Sequence, residues 1–124
     1  MPAISVLLVE DEALISMMVS DALSEVGFDV HEAASADEAL RYLGGGGAVD
    51  VLFTDINLAG GMSGAELAQR VRALKPGLPV VYASGRYGGD DLPDRVPDSV
   101  FVQKPYDPAA VCSLCQRLAS AARH

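Results

Sequence analysis

The sequence has no tryptophan, and aromatic residues make up 6% of its 124 positions. It has two cysteines, Cys112 and Cys115, too few and too close together for a disulfide framework. Basic residues are also scarce, with 9 Lys+Arg against 17 Asp+Glu and a net charge of −8. A surface of that sign repels phosphate backbones and anionic headgroups, so neither nucleic acid nor a membrane surface is an expected partner. No apolar run approaches the roughly 20 residues of a membrane span, because Glu10 and Asp11 end the first one. The residues before them lack the basic flank and apolar length of a secretory signal, and a cytoplasmic location is the expectation.

Apolar residues are plentiful, at 50% of the chain. A chain of this length buries about two-thirds of the surface its unfolded form exposes, so residues 1–124 are expected to fold as one domain. Residues 4–9 form a nearly continuous apolar run, the pattern of a strand covered on both faces. Leu14, Met18, Ala22 and Val26 follow at helical spacing, with Gly27 at the C-cap position. Residues 28–32 read as a second strand. Ser35 and Glu38 have capping-box spacing and open a helix that runs to Leu43. Residues 49–54 are a third strand ending against Asp55. Ser63 and Glu66 form another capping box, leading a helix with Leu67, Val71 and Leu74 as its core stripe. Residues 79–83 and 99–103 read as the fourth and fifth strands. Asp107 and Pro108 open a last helix with Val111, Leu114 and Leu118 inward.

Such alternation predicts an α/β fold, a doubly wound five-stranded parallel sheet with helices on both faces. The exception lies at residues 86–97. That segment has adjacent Gly88 and Gly89, Pro93 and Pro97, and no clear apolar stripe, so the fourth helix is expected to be atypical, at most a short turn or two.

In such sheets ligands sit at the carboxyl ends of the strands, where strand order reverses. The polar residues at those ends are Glu10 and Asp11, Asp55, Ser84 and Lys104. Crowded carboxylates repel unless a cation joins them, and oxygen donors suit Mg²⁺. A carboxylate can be a nucleophile toward phosphorus, and phosphoryl transfer asks the protein mainly for positioning and charge neutralisation. Lys104 and Ser84 fit those tasks as cation and hydrogen-bond donor.

Four segments, Leu8-Val-Glu-Asp11, Thr54-Asp-Ile-Asn57, Tyr82-Ala-Ser-Gly85 and Gln103-Lys-Pro-Tyr106, resemble the signature segments of bacterial two-component response-regulator receiver domains. The resemblance covers essentially the whole chain, in order. It implies a flavodoxin-like receiver fold with Asp55 as phosphoacceptor. Mg²⁺ would be held by Glu10, Asp11, Asp55 and the main-chain carbonyl of Asn57. Ser84 and Lys104 would act on the phosphoryl group, and Lys104–Pro105 would be a cis bond. Phe101 matches the aromatic that swings on activation. The run 82–87 is similar to the Phe-Ala-Thr-Gly-x-Tyr signature of single-domain receivers, whose suggested partners are histidine kinases of the HWE type. The implied function is that of a stand-alone receiver with no output domain, a signalling domain rather than an enzyme. It would signal by protein contact around the fifth strand or serve as a phosphate sink or shuttle.

Three other readings fit these residues less well. A haloacid-dehalogenase-type phosphatase needs a second Asp two residues after its nucleophile, where this chain has Asn57. A pseudo-receiver that only binds would be expected to have lost one of the five pocket residues. A thioredoxin-like oxidoreductase would use Cys112 and Cys115, but both fall inside the last helix instead of at a helix start, and they read as core.

Overall fold

The structure is a computed structural model, and it describes residues 3–58, 61–85 and 95–122. The elements are β1 (Ser5–Val9), α1 (Ala13–Glu25), β2 (Asp29–Ala33), α2 (Ala36–Gly44), β3 (Val51–Asp55), α3 (Gly64–Leu74), β4 (Val80–Ser84), β5 (Val100–Gln103) and α4 (Pro108–Ala122). The five strands pair in the order β2-β1-β3-β4-β5, every neighbour parallel. This is the predicted doubly wound sheet.

Period-two alternation sorts the strand residues onto its two faces. Leu7, Val9, Leu52, Val80 and Tyr82 meet α2 and α3, whereas Val6, Leu8, Val51, Phe53, Val81 and Ala83 meet α1 and α4. The central strands β1, β3 and β4 are buried along their full length, which is why they read as nearly continuous apolar runs.

Both capping boxes form at their serines. Ser35 Oγ accepts from the Glu38 amide and Ser63 Oγ from the Glu66 amide, each at 3.1 Å. Gly27, at φ +98°, lets the chain leave α1 in the left-handed conformation.

The predicted stripe of α1 is corrected. Leu14, Met18 and Val26 are exposed, as is Met17, and the buried residues are Ser16, Val19 and Leu23. This helix is apolar around most of its circumference, so periodicity allows more than one face inward. The face that wins carries Ile15, Val19, Ala22 and Leu23, and it turns Ser16 toward Glu32, whose carboxylate accepts from the hydroxyl at 2.7 Å. Leu74 is corrected too. It is exposed at the end of α3, and Leu78 fills that end of the core instead. In α4, Val111 is buried as expected, but Cys112, Cys115 and Ala119 are the other buried positions, with Leu114 and Leu118 packed at the margin. Both cysteines are free thiols in the core.

The expectation about residues 86–97 falls largely on 86–94, outside the described residues. Of the remainder, Val96 is buried and its amide donates to the Tyr82 hydroxyl at 3.1 Å. Among the described residues no helix is long and apolar enough to cross a membrane.

Candidate functional site

From β1 the chain crosses to β2 on one side and then to β3 on the other, so a crevice opens between the carboxyl ends of β1 and β3. Val9 stands opposite Thr54 in the register, which brings Glu10 beside Asp55. Asp55 in turn pairs with Ala83, and Ser84 with Gln103. Backbone bonds continue past the strands. The Glu10 amide donates to Ala33 O at 3.0 Å, Ile56 to Ala83 O at 3.1 Å, and Lys104 to Ser84 O at 2.9 Å. The sheet thus fixes the backbone at Glu10, Asp55, Ser84 and Lys104.

On this platform Glu10 and Asp55 are nearly sealed, at 3% and 6% exposure. Lys104 reaches between them, with Nζ 3.1 Å from Glu10 Oε2 and 3.3 Å from Asp55 Oδ2. Their other oxygens face main-chain donors. Glu10 Oε1 accepts from the Glu12 amide at 3.1 Å, and Asp55 Oδ1 from the Asn57 amide at 3.4 Å. Asp11 is exposed, and its carboxylate completes a triad whose ligand oxygens lie within 4.8 Å of one another. Ser84 is buried at the end of β4. The Lys104–Pro105 bond is cis, as the resemblance implied.

Burial raises the pKa of Glu10, against the opposing pull of the Glu12 amide and Lys104, and Asp55 adds to the rise. Burial likewise raises Asp55, against the Lys104 charge. Desolvation pulls Lys104 down, but hydrogen bonding and attraction to Glu10 and Asp55 outweigh it, and its net shift is upward. Three carboxylates around one ammonium leave the pocket short of positive charge. Clustered hard oxygen donors of this kind fit a divalent cation such as Mg²⁺.

Six of the predicted site residues, Glu10, Asp11, Asp55, Asn57, Ser84 and Lys104, therefore gather at one rim. Phe101 lies apart from the carboxylate cluster. Its ring tilts against Tyr82 at 5.2 Å, with the Arg95 guanidinium 5.1 Å from its centroid.

Sequence reasoning missed two residues. Gly64 lies between Ser63 and Glu66 of the second capping box, yet a Cβ there would collide with the Asp55 carbonyl oxygen. Its amide donates to Ile56 O at 2.8 Å, so the start of α3 presses directly on the strand end that carries Asp55. Tyr106 closes the segment Gln103-Lys-Pro-Tyr106, and its buried hydroxyl has no hydrogen-bond partner among the described residues. No spacing signal marks either residue, because both matter through non-local contacts.

Comparison with known proteins gives one family. The family model described as "Response regulator receiver domain" matches residues 6–116. Among curated proteins, a sensor kinase, CckA, of Brucella abortus is 36% identical over 106 residues, covering 82% of this chain and 11% of the kinase. A response regulator receiver protein of an Anaeromyxobacter species is 34% identical over 112 residues, covering 89% of this chain and 43% of that protein. The chain thus spans less than half the length of either relative. Among solved structures, a response regulator receiver protein from Sinorhizobium medicae superposes with a TM-score of 0.90 at 31% identity, covering 97% of both chains. The chemotaxis response regulator CheY4 of Vibrio cholerae gives 0.84 at 26% identity, covering 94% of this chain and 99% of that one.

Proposed function

The chain belongs to the response regulator receiver family, the signalling domains that histidine kinases address in two-component systems, and on that footing we propose that it accepts a phosphoryl group onto Asp55. The observation that carries the reading is the buried Asp55 carboxylate, held by Lys104 at 3.3 Å and backed by Glu10 and Asp11. Desolvation raises the basicity of this carboxylate, which makes its ionised oxygen a stronger nucleophile than that of a solvated aspartate. An Asp55 oxygen attacks phosphorus. A P–O bond forms as the P–N bond to the donor histidine breaks, and the departing imidazole nitrogen keeps the electron pair and takes up a proton. Lys104 neutralises charge on the transferred group, and the Ser84 hydroxyl donates to one of its oxygens.

Glu10, Asp11 and Asp55, with the Asn57 carbonyl, would hold Mg²⁺. When bound, that ion supplies the positive charge that the three carboxylates lack. The donor class is a histidine kinase, of the HWE type by the likeness of residues 82–87. Its docking face is the outer side of α1, where exposed Leu14, Met17 and Met18 adjoin the acidic rim. Phe101, between Tyr82 and Arg95, is the aromatic that passes the change in the pocket to edge strand β5.

Incubation with acetyl phosphate and Mg²⁺ tests the assignment. The expected product is one hydroxylamine-labile phosphoryl adduct, abolished by Asp55→Asn. A stoichiometric adduct that survives this substitution would assign the chemistry elsewhere, and no adduct on the parent protein would favour a receiver that only binds.

A further inference from the structure

Tyr106 carries a side-chain hydroxyl that is buried and without a hydrogen-bond partner among the described residues. Such a donor is costly to leave unpaired, and native structures rarely do so without a use for it. Its ring meets Phe53 edge-on, with centroids 5.6 Å apart and planes at 76°. Phe53 lies two residues before Asp55, and Tyr106 two residues after Lys104, so the ring packs into the α1/α4 core layer next to the two chain segments that carry the pocket. The charges acting on it are those of Glu10, Lys104, Asp55 and Glu12.

The pocket itself has a shortage that this donor can meet. A single ammonium, Lys104, serves both Glu10 and Asp55, at 3.1 and 3.3 Å. A phosphoryl group on Asp55 places new negative charge beside Nζ and draws the ammonium toward it. Glu10, 3% exposed, keeps the Glu12 amide on Oε1 and its side of the divalent ion that the carboxylates would share, but Oε2 loses the hydrogen bond that Lys104 gave it.

We propose that Tyr106 is a positioning residue of the phosphoryl-transfer pocket, whose hydroxyl donates to Glu10 when Lys104 turns from Glu10 to the phosphoryl group on Asp55. The inference rests on Asp55 being the phosphoacceptor. Burial first, and the Glu10 charge second, push the phenol up to about 12, so its proton is available at neutral pH.

Tyr106→Phe tests this, with acetyl phosphate as donor and beryllofluoride plus Mg²⁺ as a stable phosphoryl mimic. The resting variant should melt at the parental temperature or above, because the substitution removes no bond from that state. Its affinity for beryllofluoride should fall about tenfold, since a hydrogen bond to a charged acceptor is lost in the loaded state alone. The near-UV tyrosine band of the parent should shift to the red on loading, and Tyr106→Phe should lack that component. Equal beryllofluoride affinity in the two proteins would overturn the role of Tyr106. So would a lowered melting temperature of the resting variant, which would mean that the hydroxyl is already paired. If the parent takes neither a phosphoryl group nor beryllofluoride, the phosphoacceptor reading itself falls, and this proposal falls with it.

Discussion

The two ends of the sheet handle their polar side chains in opposite ways. At the amino end Asp50 and Arg72 work on backbone. Asp50 accepts from the Ser5 amide at 2.8 Å, and Arg72 donates to the Leu78 and Pro97 carbonyls, both at 2.7 Å. These bonds tie strand entries and a helix end to one another, and they are structural. At the carboxyl end Glu10, Asp55 and Lys104 are set against one another, and burial holds both carboxyls above their ordinary pKa range. Charges gathered in this way are a poor means of stabilising a fold, because desolvation offsets much of their attraction. The contrast separates residues that keep the sheet together from residues that the sheet keeps ready.

Substitutions at the two ends should therefore separate activity from stability. The largest effect belongs to Lys104→Met, which removes the ammonium held between Glu10 and Asp55 and, on the proposed transfer, should slow labelling of Asp55 by acetyl phosphate about 100-fold. Parental labelling by this variant would remove Lys104 from the pocket chemistry. Next in size is Gly64→Ala. Its Cβ has no room beside the Asp55 carbonyl, and overpacking against backbone should cost about 3 kcal/mol in urea unfolding. An unchanged unfolding midpoint would show that α3 does not brace the strand end. Arg72→Met comes third. Losing two charge-assisted bonds to carbonyls should cost about 2 kcal/mol and leave the labelling rate alone. If it slowed labelling as much as Lys104→Met, the distinction between the two ends would collapse.

Much of this arrangement was legible because β1 and β3 are nearly continuous apolar runs that stop at acids. A strand covered on both faces has few polar positions of its own, so the first charge the run meets marks its carboxyl end. The serine caps were legible for a similar reason, since capping is local and four residues suffice to show it. The inward face of α1 was not. Leu14, Met17 and Met18 are as apolar as Ile15, Val19 and Leu23, and the choice between those faces is made by the sheet and by the bond from Ser16 to Glu32. Gly64, Arg72 and Tyr106 lay out of reach because their roles depend on partners distant in sequence. Cys112 and Cys115 show the converse. Their spacing suggested chemistry, their place inside a helix argued against it, and burial in the core beside Phe53 and Val111 agrees with the plainer reading.

The smallest effect concerns the layer between the two ends, and it is silent at neutral pH. Burial raises the Cys115 thiol to about 12 from an ordinary value of 9.0, with the neighbouring Cys112 adding to the rise. Burial also raises Tyr82, and it lifts Tyr106 to about 12 from 10.0. Each group favours the folded state in its neutral form, so its contribution is complete below its ordinary value and is lost as pH climbs through the raised one. The melting temperature should hold up to about pH 9 and then fall progressively toward pH 12, first as Cys115 and then as the two tyrosines become ionisable in the unfolded chain. Tyr106→Phe removes one of these groups and should flatten the upper part of that decline. A thiol reagent at pH 8 should modify Cys112, which is 8% exposed, well before Cys115, which is fully buried. Equal labelling rates, or a melting temperature flat to pH 12, would mean that the α1/α4 layer opens to solvent far more readily than its packing implies.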